Sequence, residues 1–167
     1  MENYIIRKAK KRDARSVRNI GNYFIENSFA MYPDKIRPGY KGCVKYINAA
    51  RNGAFYVIET EPGKIVGFGR LGYYCNYGPG VFDRTAELCY FIMPKYTRYG
   101  MGTKMLHNLV RHAKKAGIRT LIAHISSLNP QSLSFHRKHG FIERGQLHAI
   151  GRKKGKNFGV VWMQKDL

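Results

Sequence analysis

Two glycines one residue apart, in Tyr96-Thr97-Arg98-Tyr99-Gly100-Met101-Gly102-Thr103-Lys104-Met105-Leu106, mark the stretch of this chain best suited to chemistry. Without Cβ atoms, such a turn brings main chain close to a ligand. Behind it Met101, Met105, Leu109, Val110 and Ala113 recur at helical spacing, so the turn opens a helix. A helix N-terminus carries unpaired N–H donors and a positive partial charge, and the ligand it suits is a phosphate. Ala86-Glu87-Leu88-Cys89-Tyr90-Phe91-Ile92-Met93 is a mostly apolar run ended by Pro94, and it reads as the strand leading in. Two familiar phosphate motifs are excluded. Gly102-Thr103-Lys104 does not supply the ending of a Walker loop, and the third glycine of a dinucleotide fingerprint would fall at Met105. A plain helix start with a flexible lead-in is the competing reading of this stretch taken alone.

The elements that must hold the loop can be read on both sides of it. Tyr4-Ile5-Ile6-Arg7 is a first strand, and Asp13 is placed to cap a helix with Val17, Ile20, Phe24 and Ile25 at helical spacing, ending near Asn27-Ser28. A loop through Pro33 and Pro38 leads to a shorter helix with Val44 and Ile47, ending at Asn52-Gly53. Residues 54–60 and 64–71 form a hairpin about Glu61-Pro62-Gly63. After the glycine loop its helix closes at Gly117, and residues 119–125 form a buried strand. The resulting strand-helix-strand crossover calls for a parallel pair. Asn129-Pro130 starts a short helix stopped by Gly140, and two strands, 141–150 and 158–163, finish a mixed α/β sheet with helices packed on it.

The 167 residues, 44% apolar, suit one domain over residues 1–167. Met1 to Lys8 has no long apolar stretch behind a basic start, and no segment approaches the roughly 18 apolar residues of a membrane span, which points to a cytoplasmic protein with no membrane partner. Cys43, Cys75 and Cys89 lack the spacing of metal ligands or a disulfide framework, so no metal is expected. Charge is the outlier: 30 Lys and Arg against 10 Asp and Glu give +20, a field that attracts polyanions or a multiply phosphorylated cofactor. Its densest runs, at residues 8–12 and 152–156, read singly as solvated faces.

Several short motifs stand in one register: Ile25-Glu26-Asn27-Ser28, Thr85-Ala86-Glu87, Gly100-Met101-Gly102, Asn129-Pro130-Gln131-Ser132, His136 with Gly140-Phe141, and Gly151-Arg152-Lys153-Lys154-Gly155 before Val160-Val161. In these the chain resembles the GNAT superfamily of N-acetyltransferases, and within it the phosphinothricin acetyltransferase-like branch. The resemblance implies a mixed, mostly antiparallel sheet of about seven strands with a parallel central pair and four helices. It implies acetyl-CoA as acetyl donor, with the pyrophosphate on the loop Arg98, Tyr99, Gly100, Met101, Gly102 and Thr103, and the pantetheine arm on main chain at Phe91 and Met93. Asn129 and Ser132 would complete the cofactor site, although a cap role alone accounts for Asn129. Relatives in this branch form dimers, so a homodimer is expected.

Acetyl transfer to an amine has two proton requirements. An ammonium of pKa near 10 must lose a proton before its nitrogen can attack, and a departing thiolate of pKa about 8.5 benefits from an acid. Glu87 stands where the branch keeps its general base, and His136 where the superfamily places an acid; a salt-bridged glutamate and a structural histidine are the competing readings. Cys89, inside a strand, is better placed to be inert than to act as nucleophile, so direct transfer is expected. The sequence departs from the family pattern at Thr97, where Gln or Arg is usual, with Arg98 as the substitute donor. It departs also at Asn157 and Gly159, and in lacking an arginine across residues 73–80. The expected acceptor is a small amino-acid-like primary amine. The alternatives are a basic protein docked on RNA or ribosomes, with or without protein acetylation, and an inactive acetyl-CoA binder.

Overall fold

The computed structural model describes residues 3–36 and 38–167. Met1 and Glu2, part of the N-terminal stretch read above, and Arg37 lie outside the described residues. In chain order the elements are β1 (Ile5–Lys8), α1 (Ala14–Asn27), α2 (Lys41–Asn48), β2 (Phe55–Glu61), β3 (Lys64–Tyr73), β4 (Thr85–Ile92), α3 (Met101–Lys115), β5 (Thr120–Ser126), α4 (Pro130–Lys138), β6 (Ile142–Lys153) and β7 (Lys156–Asp166). They build one seven-stranded sheet in the order β1-β2-β3-β4-β5-β7-β6. Only β4 and β5 pair parallel; the other neighbours are antiparallel. The sheet and crossover expected from the sequence are therefore present.

The alternation of apolar side chains along the strands divides the core into two layers. Ala86 and Leu88 of β4, Leu121 and Ala123 of β5, and Met101, Met105, Leu106 and Leu109 of α3 pack together on one face. Each fully buried Leu or Met contributes about 1.5–3 kcal/mol relative to exposure. Phe55, Val57 and Phe68 pack on the other face against Val17, Ile20 and Ile25 of α1 and Cys43 and Ile47 of α2, with Phe91 against them. β4 thus sends alternate side chains to different helices.

The central strands do not stay together. β4 pairs with β3 from Ala86 to Ile92, but with β5 only at Thr85, Ala86 and Glu87. Beyond Glu87 the parallel pair splays into a notch, and the glycine loop and α3 begin at its far end.

Three expectations are corrected. Asp13 does not cap α1: its carboxylate accepts the Lys10 N–H at 2.7 Å and both terminal nitrogens of Arg7 at 2.8 and 2.9 Å. Burial opposes ionisation of Asp13, but the Arg7 guanidinium and the Lys10 N–H outweigh it and hold its carboxyl below the usual range. The last two strands are longer than expected and meet at a tight turn, with φ +49° at Lys154 and +74° at Gly155, as a two-residue hairpin requires. The basic run 152–156 is a solvated face at Arg152, Lys154 and Lys156, which are exposed, but not at Lys153. Lys153 is 3% exposed and donates to the carbonyls of Ser28 at 2.9 Å and Met31 at 2.6 Å, while Lys154 donates to that of Glu26, so the hairpin pins the exit of α1.

Candidate active site

The glycine loop has the geometry its composition calls for. Arg98 and Gly100 take left-handed conformations, φ +68° and +77°, and α3 starts at Met101 with no side-chain cap. The Lys104 N–H returns to the Gly100 carbonyl at 3.0 Å. Among the described residues, none of the N–H groups from Arg98 to Thr103 donates to a carbonyl, so a row of donors stands at a helix N-terminus, where a phosphate is stabilised. Thr97 turns away, its hydroxyl donating to the Pro94 carbonyl at 2.8 Å. Thr103 is held by its hydroxyl on His139 Nε2 at 3.1 Å, and His139 Nδ1 bonds the Phe135 carbonyl at 2.8 Å. Gly102 faces Phe135: a Cβ there would lie 3.4 Å from the ring.

Main chain lines the notch, but not from the residues expected. The Met93 N–H bonds the Val66 carbonyl of β3 at 2.9 Å, and its carbonyl accepts the Tyr96 N–H at 2.9 Å. In an antiparallel ladder both polar groups of a residue point to the same side and successive residues alternate, so Phe91 also faces β3. Phe91 and Met93 are therefore corrected to Leu88, Tyr90 and Ile92, whose N–H and C=O groups face the side that β5 has left. Side-chain pattern does not report this parity; the register of the β3 pairing does.

Glu87 lies at the base of the notch, half-buried, on the face covered by α1 and α2. Its cross-strand partner is Gly72, so no side chain stands opposite. Its Oε1 accepts the Cys75 N–H at 2.6 Å, and Cys75 holds φ +45° in the turn after β3. His124 of β5 brings Nδ1 to 4.0 Å from the same oxygen and packs on Trp162 of β7, centroids 4.0 Å apart. Burial lowers the His124 pKa against the opposing pull of Glu87, so a neutral imidazole stands beside the carboxylate. His124 Nε2 is buried without a partner among the described residues. Arg51, 4% exposed, fixes the approach to β4, donating to the carbonyls of Phe82, Asp83 and Thr85 and lying 5.2 Å over the Tyr73 ring. None of His124, Cys75 or Arg51 was singled out from sequence. The glutamate's register with β5 could have pointed to His124; nothing in the sequence marks the other two.

His136 is not brought to Glu87. It lies on the opposite face of the sheet, 5% exposed, with Nδ1 bonded to the Ser132 carbonyl at 2.7 Å and Nε2 to the Tyr90 hydroxyl at 3.1 Å. Burial lowers its pKa, more than the Ser132 carbonyl raises it. The neutral ring with its proton on Nδ1 leaves Nε2 to accept from Tyr90. Ser132 Oγ stands 3.3 Å from Nδ1, and Asn129 caps α4 by accepting the Ser132 N–H at 3.2 Å. The Asn129 Nδ2 group has no partner among the described residues, so the cap leaves a donor to spare.

A splayed parallel pair followed by a donor-rich glycine loop and helix is a site for a long, phosphorylated thioester, and comparison with known proteins agrees. Residues 21–141 match the acetyltransferase (GNAT) family, and the chain belongs to that family. It is 25% identical over 162 residues to the L-amino acid N-acyltransferase MnaT of Escherichia coli, covering 97% of this chain and 93% of that protein. It is 31% identical over 127 residues to a phosphinothricin N-acetyltransferase of Alcaligenes faecalis, covering 75% of this chain and 61% of the relative. A phosphinothricin acetyltransferase from Sinorhizobium meliloti, solved in complex with acetyl-CoA, superposes with a TM-score of 0.90 at 25% identity, over 100% of this chain and 89% of that one.

Proposed function

We propose that this enzyme transfers the acetyl group of acetyl-CoA directly to the primary amine of a small amino-acid-like acceptor. The observation that carries it is the notch: free main chain on β4, the row of N–H donors from Arg98 to Thr103 at one end, and a half-buried carboxylate at the other. Acetyl-CoA supplies an activated acyl group whose leaving group is a thiol. The loop amides hold the diphosphate, with Arg98 adding charge, and Ile92 and Tyr90 pair main chain with the pantetheine arm. The spare Nδ2 of Asn129 and the hydroxyl of Ser132 are further donors toward that arm.

Glu87 takes a proton from the acceptor ammonium, freeing the nitrogen lone pair to attack the thioester carbonyl. The Cys75 N–H orients the carboxylate, and neutral His124 adds no charge to compete with it. His136 stands on the other face as a neutral ring, its Nδ1–H committed to the Ser132 carbonyl and its Nε2 accepting from the Tyr90 hydroxyl, so it holds Tyr90 in place, and the departing thiolate takes the second proton that the attacking nitrogen sheds. No acyl-cysteine step is involved: Cys89 Sγ is engaged with the Tyr46 hydroxyl at 3.4 Å.

Thiol release from acetyl-CoA with an amino-acid acceptor tests the proposal. Glu87→Gln is expected to lower kcat by about 10²–10⁴ with acetyl-CoA binding intact, and full activity in that variant contradicts it. The enzyme works in this reading as a cytoplasmic homodimer, with Ile142, Leu147 and Ile150 exposed on the edge strand β6 as the support for self-association. The charge of +20 favours a second, weaker property, salt-sensitive polyanion binding.

A further inference from the structure

Arg70 stands two residues before Gly72 on β3, and Gly72 is the residue opposite Glu87. Residues two apart on a strand, and their cross-strand partners, share a face, so the Arg70 guanidinium and the Glu87 carboxylate belong to the same cleft. The guanidinium is stacked 4.3 Å from the centre of the Tyr46 ring on α2, and its Nε lies 3.4 Å from the Leu71 carbonyl. Its Nη2 rests over Gly72, 2.9 Å from where a Cβ would stand. The missing side chain at Gly72 is thus what lets the cation lean toward Glu87.

Among the described residues no carboxylate pairs with Arg70, whereas Arg7 has two and Arg51 and Arg137 have one each. A half-buried guanidinium, oriented by stacking and lacking a counter-ion, suits an anion that arrives with the substrate. The same cation repels an acceptor that brings positive charge alone. Arg70 and Glu87 are diagonal neighbours on this face, a relationship that sets residues about 7–8 Å apart, and the long Arg70 side chain leaning over Gly72 shortens the gap enough for an ammonium and a carboxylate on one α-carbon to bridge it. We propose that Arg70 is the carboxylate-recognising residue of the acceptor site, and that the acceptor is an α-amino acid with its amine at Glu87 and its α-carboxylate at Arg70. The assignment rests on Glu87 marking the acceptor side.

The test compares L-methionine with methylthiopropylamine, which lacks only the carboxylate. Wild-type enzyme should prefer methionine by about 100-fold or more in kcat/KM, and Arg70→Met should lower that ratio by about 100-fold, through the KM for methionine rather than for acetyl-CoA. Gly72→Ala keeps the charge but displaces the guanidinium, and should lower the ratio in the same direction; Arg70→Lys should restore part of it. Coenzyme A must still raise the melting temperature of each variant, which establishes that it is folded. An unchanged ratio in folded Arg70→Met overturns the assignment, as does a wild-type ratio near one. Loss of transfer to both amines in wild type, with coenzyme A still bound, instead overturns the amino-acid acceptor on which the assignment stands.

Discussion

The Glu87 carboxylate is held by the main-chain N–H of Cys75 at 2.6 Å, a bond that depends on the left-handed backbone of Cys75 and not on its thiol. Orientation and basicity of Glu87 can therefore be separated. Glu87→Gln keeps an oxygen for that N–H and should unfold within about 0.5 kcal/mol of wild type, whereas Glu87→Ala loses the bond and about 1 kcal/mol. Both should lose acetyl transfer. Denaturant melts beside thiol-release rates check the pair.

The glycine loop makes a prediction about the donor alone. Gly100 has φ +77° with open space around it, so Gly100→Ala costs about 1–2 kcal/mol of backbone strain. Gly102→Ala presses a methyl on Phe135. Each should raise the KM for acetyl-CoA at least 10-fold while the KM of the amine changes little; initial-rate kinetics with each substrate varied decides it.

Three histidines tie stability to pH. Burial lowers the pKa of His112 on α3, of His124 and of His136, so the unfolded chain binds protons first as pH falls below its histidine value of about 6.5. Stability should be level above neutrality, fall as pH drops from about 7, and level off below the folded values. His136→Phe should flatten part of that slope. Urea midpoints at a series of pH values measure it.

Arg51 is buried with its guanidinium on the carbonyls of Phe82, Asp83 and Thr85. Arg51→Met leaves those acceptors without a donor and is expected to cost about 2–4 kcal/mol. Since the same segment leads into Glu87, activity should fall even below the melting temperature, as seen in rates taken well under the new midpoint.

The loop, the crossover and Glu87 were legible because each leaves a local signature: paired glycines, helical spacing at Met101, Met105 and Leu109, and a carboxylate at a strand entrance. What escaped is tertiary. Phe91 and Met93 were one residue out of phase because main-chain direction follows the pairing with β3 rather than the apolar pattern. Lys153 looked solvated within a basic run, yet the carbonyls that bury it belong to Ser28 and Met31, more than a hundred residues away. Arg70 gained meaning only when the register put Gly72 against Glu87.

A crystal structure of the enzyme with coenzyme A bears most directly on the site. The diphosphate is expected on the N–H groups between Arg98 and Thr103, with the pantetheine arm along Ile92 and Tyr90 and the thiol ending near Glu87. A diphosphate bound elsewhere, or an arm that leaves the notch between β4 and β5 empty, would contradict it.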